Sequence, residues 1–317
     1  MQNLKIWNYL SLPWLIFSLT FFIIFFLLAF LVEIDNSYLS KGYLNELFFN
    51  TFILSFGSAI LSAMIAVPLA IIVTFYKFPG HKFFSWSLSL SIAFPAYVYA
   101  FIYVGIFEYS SPVAEYLRNF NTTLPQIKNI YGAIVIMAMA LFPYIFLLTK
   151  AHLASVGIKV FKAAKSLGNN NITAIKKIII PSLWPTIVAG MALVIFETIA
   201  DFGGVSTLRV ETFTVGIYDA WFGYQSYFSA TRLAGYLLIF VFLIMFLAKY
   251  FGEKSSNLAS KTAETFQRIE TSPIVGLGVL FFCSFVFIIV FCIPTTQLII
   301  WNLSDSSSNI LSNLQLL

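Results

Sequence analysis

The sequence is poor in charge. Only 10% of its 317 residues are Asp, Glu, Lys or Arg, against 60% hydrophobic, and the mean hydropathy is +0.89. A soluble domain carries about 25% charged residues, and a disordered chain has high charge and few aromatics, so both classes are excluded. Cysteine is nearly absent as well. Cys283 and Cys292 lie in one apolar run with no His beside them. That excludes a disulfide scaffold and the usual zinc spacings, and leaves both as small apolar space-fillers. The chain also lacks a Gly-x-x-x-x-Gly-Lys-Ser/Thr loop. Gly252-Glu253-Lys254-Ser255 has no glycine-rich cradle before its lysine, so the chain itself is not expected to bind ATP or any other cofactor. What abounds is phenylalanine, at 36 residues, a load that belongs in lipid.

A helix that crosses a bilayer needs about 20 mostly apolar residues, because lipid offers no partner to an open backbone group. Seven windows qualify, at 12–32, 48–76, 84–107, 131–149, 183–200, 233–251 and 274–293. The fold class expected is therefore all-α, a polytopic membrane bundle of about seven spans. The first span follows Lys5 and has no small-residue cleavage site after it, so it reads as an uncleaved anchor. With a cytoplasmic N-terminus, the alternating loops place 13 of the 18 Lys and Arg inside and five outside, while eight of the 13 acids fall outside. The positive-inside rule favours that orientation. The net charge of +5 is thus topological, and nucleic-acid binding is not expected.

Within the spans, Ser55, Ala59, Ser62 and Ala66 form a stripe of small residues suited to close helix contact. The serine run 85–91 alternates like a strand but must be helical in lipid. Pro68, Pro95 and Pro143 are each positioned to kink a span. One loop, 150–182, is too long for a tight turn. It divides into a short helix at 158–168, a stop at Gly168-Asn169-Asn170-Asn171, and a second helix at 172–180, with Pro181 marking the boundary before the fifth span. Two readings of this pair stand from the residues alone. It is a docking knob for a cytoplasmic partner, or an amphipathic segment with Lys159, Lys162, Lys165, Lys176 and Lys177 on the headgroups.

Ala163-Ala164-x-x-x-Gly168, nine residues, then Ile178-x-Ile180-Pro181 resembles the EAA loop of bacterial ATP-binding-cassette (ABC) transporter permeases. Lys162 replaces the family's usual Glu, and Ile180 its Leu. The resemblance implies that Lys162, Ala163, Ala164, Gly168, Ile178, Ile180 and Pro181, in the loop 158–181, form a coupling element that docks on a separate cytoplasmic ATPase dimer, the subunit that binds ATP. The stretch 197–204 (Glu-Thr-Ile-Ala-Asp-Phe-Gly-Gly), the stretch 212–222, Phe94-Pro95-Ala96-Tyr97 and Leu141-Phe142-Pro143-Tyr144 are similar to the ferric-iron permeases of that family. A non-enzymatic inner-membrane importer subunit is implied, carrying substrate delivered by a periplasmic binding protein. The substrate expected is ferric iron. The alternatives are another small substrate (thiamine, phosphonate, polyamine or molybdate), or a truncated, non-transporting membrane protein. Ferric permeases of this type pair two six-span halves. The organisation expected here is a permease unit at 1–251, a cytoplasmic linker at 252–273 and the first span of an incomplete second half at 274–317, completed by a second half or a second copy.

Glu197 and Asp201 are four residues apart, so they share one face of the fifth span. A carboxylate at that depth is costly unless it meets water or a partner. Either the two line the outer mouth of a pathway for a hard cation, or they hydrogen-bond neighbouring helices. No third polar group or nucleophile accompanies them, so catalysis is not expected, nor is a resident metal site.

Overall fold

A computed structural model describes residues 2–31, 40–168, 170–252 and 268–303. The side chains of the first 12 residues, most of the linker (253–267), Asn169 and the segment 304–317 that carries Asp305 lie outside that description. Apart from two short paired strands, the described elements are helical: α1 (Gln2–Leu31), α2 (Lys41–Phe75), α3 (His81–Ser87), α4 (Ala96–Phe107), α5 (Pro112–Arg118), α6 (Ile130–His152), α7 (Ile158–Ser166), α8 (Asn171–Ala174), α9 (Ile180–Ala200), α10 (Gly203–Thr207), α11 (Phe213–Tyr218), α12 (Tyr227–Gly252) and α13 (Pro273–Phe287). Among the described residues five helices are long and apolar enough to cross a membrane. A bent pair makes a sixth, and α1 adds a shorter apolar stretch, Thr20–Leu31.

The chain divides into two compact units. The first holds Met1–Thr51 and Glu211–Ile244. Leu47, Phe213, Ala220, Ala230 and Leu233 form its buried core, with Tyr43, Leu44 and Tyr236 packed around them. Polar groups close its corners: Asn50 Nδ2 donates to the Glu211 carbonyl, the Phe213 amide donates to Thr51 Oγ1, and Arg232 Nε donates to the Ala29 carbonyl.

The second unit holds Phe52–Val210 and Met245–Leu317. The small-residue stripe is buried as expected, with Ser55, Ala59, Ser62 and Ala66 all inaccessible, and Ser62 Oγ donates to the Ala138 carbonyl of α6. The expected third span is not one straight helix. α3 passes through a 3-10 turn at Leu90–Ala93, and the pair His81–Ala93 and Ala96–Arg118 is bent by 90°. Pro95 forces Phe94 into an extended conformation (ψ 121°), which no helix tolerates. Pro68 and Pro143, by contrast, lie inside α2 and α6, neither of which is interrupted at its proline.

The boundary expected at Pro181 is also absent, since one helical run covers Asn171–Ala200. A π-helical turn at Ile175–Ile179, closed by the Ile180 amide on the Ile175 carbonyl, shifts the bonding register. Pro181 then falls in the first turn of the new register, where a missing N–H costs least. A second π turn, Leu153–Gly157, likewise fuses α6 to α7.

The seventh span packs within this unit. β1 (Tyr76–Lys77) pairs in parallel with β2 (Ile269–Glu270), Phe83 meets Phe287, and Phe94 meets Phe291. The hydroxyls of Tyr99 and Tyr103 donate to the carbonyls of Val290 and Ile289, in a third π turn at Ile288–Cys292.

Candidate functional site

The loop 150–182 forms the helix pair expected of it. α7 is amphipathic, with Ile158, Phe161 and Ala164 buried and Lys162, Ala163 and Lys165 exposed. Phe161 anchors it by packing against Phe75 at the end of α2, with ring centroids 5.0 Å apart and the planes tilted by 36°. Gly168 ends the helix at φ +83°, with open space where a side chain would stand. Asn170 then starts α8 by accepting the Thr173 amide on Oδ1 at 2.7 Å. Along the second arm Ile175 and Ile179 are buried, Ile178 is half-buried, and Ile180 and Pro181 are exposed. Of the seven residues expected to dock, Ala164 alone is buried, at 2% exposure. It packs α7 onto its own scaffold.

The base of this pair is tied down by residues that sequence reasoning did not single out. His152 Nδ1 and Thr186 Oγ1 lie 3.0 Å apart, linking α6 to α9. The Lys150 ammonium donates to the Ser85 carbonyl and lies over the Phe146 ring. Lys150 had counted only toward topology, and a lone His or Thr in an apolar sequence carries no signal of its partner.

Farther along the same two helices lies a pocket of about 260 Å³, walled by the middle of α6 (Ala140, Leu141, Tyr144), the end of α9 (Glu197, Ala200), Asp201 and the Phe94–Pro95 break. Glu197 and Asp201 both line this pocket, but they do not share a helix face, because α9 ends at Ala200 and Asp201 is extended (ψ 121°). Glu197 is exposed and interacts with Tyr144 across it. Asp201 follows the last residue of α9, and its Oδ1 accepts the amides of Gly204 (2.7 Å) and Val205 (3.1 Å), capping α10. A Cβ on Gly204 would come within 2.8 Å of that oxygen and of the Met137 methyl, so a larger residue would have to push these side-chain ends aside. Burial raises the Asp201 pKa, the two amides oppose the shift, and nearby Glu197 adds to it. Tyr144 was missed as a pocket residue because Leu141-Phe142-Pro143-Tyr144 reads as an apolar run until the break at Pro95 opens opposite it. Among the described residues no group of three or more His, Cys, Asp or Glu side chains is placed to hold a metal ion.

Long apolar helices, an amphipathic helix pair and a polar pocket at a broken span define a polytopic membrane permease. Residues 66–257 match the family described as "Binding-protein-dependent transport system inner membrane component", and the chain belongs to that family, as a multi-pass inner-membrane protein. It is 25% identical over 264 residues to the Fe(3+)-transport system permease protein FbpB 2 of Haemophilus influenzae, covering 83% of this chain and 49% of that protein. It is 27% identical over 158 residues to the sulfate transport system permease protein CysT of Salmonella typhimurium, covering 49% of this chain and 55% of that one. The chain spans about half the length of the curated relatives it matches. Its fold is similar to the crystal structure of a bacterial ABC transporter involved in alginate import, with a TM-score of 0.58 at 16% identity, covering 80% of this chain and 100% of that one. At that identity the likeness is one of fold. These relatives are transport permeases and not enzymes.

Proposed function

We propose that the chain is a permease subunit of a binding-protein-dependent ABC importer, with its N-terminus in the cytoplasm. A cytoplasmic ATPase dimer docks on the face made by Lys162, Ala163, Gly168, Ile180 and Pro181, and a periplasmic binding protein delivers substrate at the other side. The observation that carries this reading is the continuity of the helices. α8 runs through its π turn into α9 as one helical run, Asn171–Ala200, and the π turn after α6 bonds directly to the start of α7, so the helix pair and the carboxylate pocket are carried by the same two helices. A displacement of the pair on ATP binding reaches Tyr144 and Glu197 without crossing a flexible loop. It biases the pocket between two states, as differential contacts with the two ATPase states require.

Ferric iron is the substrate this reading favours. The iron relative aligns with 83% of the chain and the sulfate relative with 49%, and a hard cation suits the oxygens of Glu197, Asp201 and Tyr144. The pocket gathers two carboxylates rather than a closed ligand set, which fits passage better than storage. The sulfate relatives motivate the second reading, an anionic substrate. In organisation, 1–251 act as the permease unit, 252–273 as a linker and 274–317 as the first span of a second half, which a further half or a second copy completes.

Uptake into proteoliposomes holding the permease, its ATPase and its binding protein tests the proposal. Iron uptake should fall at least tenfold in Glu197→Gln and in Ala163→Trp. The ATPase should lose its stimulation by binding protein only in Ala163→Trp. Uptake of sulfate and not iron would overturn the substrate, and a fully coupled Ala163→Trp would overturn the docking face.

A further inference from the structure

A second cavity, of about 620 Å³, lies between the end of α4, α5, the segment 123–128 and the end of α10. Arg118, Lys128 and Arg209 line it, with Glu108 as its single acid. The loops on this side of the membrane hold eight acids and five bases, so three of the five bases converge on one cavity against an acidic background. Lys128 and Glu108 neutralise each other at 3.2 Å. Arg118 is held in place, with Nη1 donating to the Tyr109 carbonyl at 2.6 Å and the guanidinium 4.1 Å from the centroid of the Tyr109 ring. The Arg209 side chain has no hydrogen-bond or ion-pair partner among the described residues. Two guanidinium groups, from separate elements, remain as uncompensated charge.

The backbone of Arg209 adds an independent observation. It closes α10 at φ +56°, with its amide on the Ser206 carbonyl and the Val210 amide on the Val205 carbonyl. That is the left-handed position at a helix end where glycine fits without strain and a residue with a Cβ does not. The chain holds an unpartnered arginine at the rim of the cavity in a conformation that disfavours it.

The geometry points to an oxyanion-binding site in this cavity, taking small anions of the sulfate or phosphate type between Arg118 and Arg209. Guanidinium forks match tetrahedral oxyanions through paired N–H donors, and the cavity has room for such an ion with its remaining water. The site lies apart from the Glu197 pocket and shares no lining residue with it.

Thermal-shift and calorimetric titration of the purified full chain with sodium sulfate, against sodium chloride at equal ionic strength, tests the site. Saturable stabilisation by sulfate beyond that of chloride is expected. Arg209→Gly should raise the Tm in the absence of sulfate, because it relieves the left-handed strain, and should weaken sulfate binding at least tenfold. Arg209→Asn, which also tolerates that conformation, should weaken binding to the same degree. A flat sulfate response in the parent chain, or unchanged sulfate affinity in both variants, overturns the site. The titration needs neither ATPase nor binding protein, so it and the uptake assay fail independently.

Discussion

The helix pair α7–α8 and the carboxylate pocket lie on the same two helices, α6 and α9, yet they are built in opposite ways. The pair is continuous in sequence, presents exposed small and basic residues, and leaves open space around Gly168. The pocket is assembled from three separated segments, and its carboxylates are half committed to holding structure, Asp201 through the amides of α10. A surface proposed to meet a partner outside the chain keeps small and charged residues on its exterior, as Lys162, Ala163 and Gly168 do here. A pocket among packed helices must first satisfy its own polar groups, so Asp201 serves the fold whatever else it does.

The sharpest way to break this contrast lies within the pair itself. Ala163 and Ala164 are neighbours in one motif, but the first is exposed and the second is 2% exposed. Ala164→Trp has no room, and overpacking of that kind costs at least about 1–3 kcal/mol. Its Tm in detergent should fall by many degrees, whereas Ala163→Trp should melt with the parent. Equal melting of the two variants would mean that α7 is not seated by Ala164.

A smaller effect separates structure from charge at the pocket. Asp201→Ala removes the acceptor of two α10 amides and should cost about 1 kcal/mol, the usual worth of such a cap. Asp201→Asn keeps a carbonyl oxygen for those amides and should hold most of that stability while losing the charge. If both variants lose iron uptake but only Asp201→Ala loses Tm, the carboxylate serves both ends of the comparison. If Asp201→Asn transports normally, its role is confined to capping.

Legibility in the sequence follows the same division. The spans were readable because lipid demands long apolar runs, and the small-residue stripe because close packing demands small side chains at helical spacing. The helix pair was readable because it is local, with Gly168 at its stop and an Asn immediately before α8. What escaped depends on contacts distant in sequence or on a shift in hydrogen-bond register. Pro95 and Pro181 are the same residue with opposite outcomes. A π turn before Pro181 absorbs its missing donor, and none precedes Pro95, where a 90° bend opens the pocket instead. Tyr144, His152 and Arg209 gained meaning only once Glu197, Thr186 and the Arg118 cavity stood beside them.

The smallest effect expected is one of pH, and it turns on the sign of the Asp201 shift. Burial raises its pKa in the folded chain above the unfolded value, with Glu197 adding to the shift and the two amides only partly opposing it. Below the unfolded pKa both states are protonated and the group contributes no penalty. As pH rises through the unfolded value and then the folded one, the unfolded chain ionises first, and stability is lost across that window. Tm should therefore decline as pH rises above the ordinary carboxylate value of 3.8 more steeply in the parent than in Asp201→Asn, which has no proton to release. Parallel Tm profiles would mean that the α10 amides outweigh the burial of the carboxylate. The pocket would then tolerate a full negative charge as easily as the exposed face of α7 tolerates its lysines.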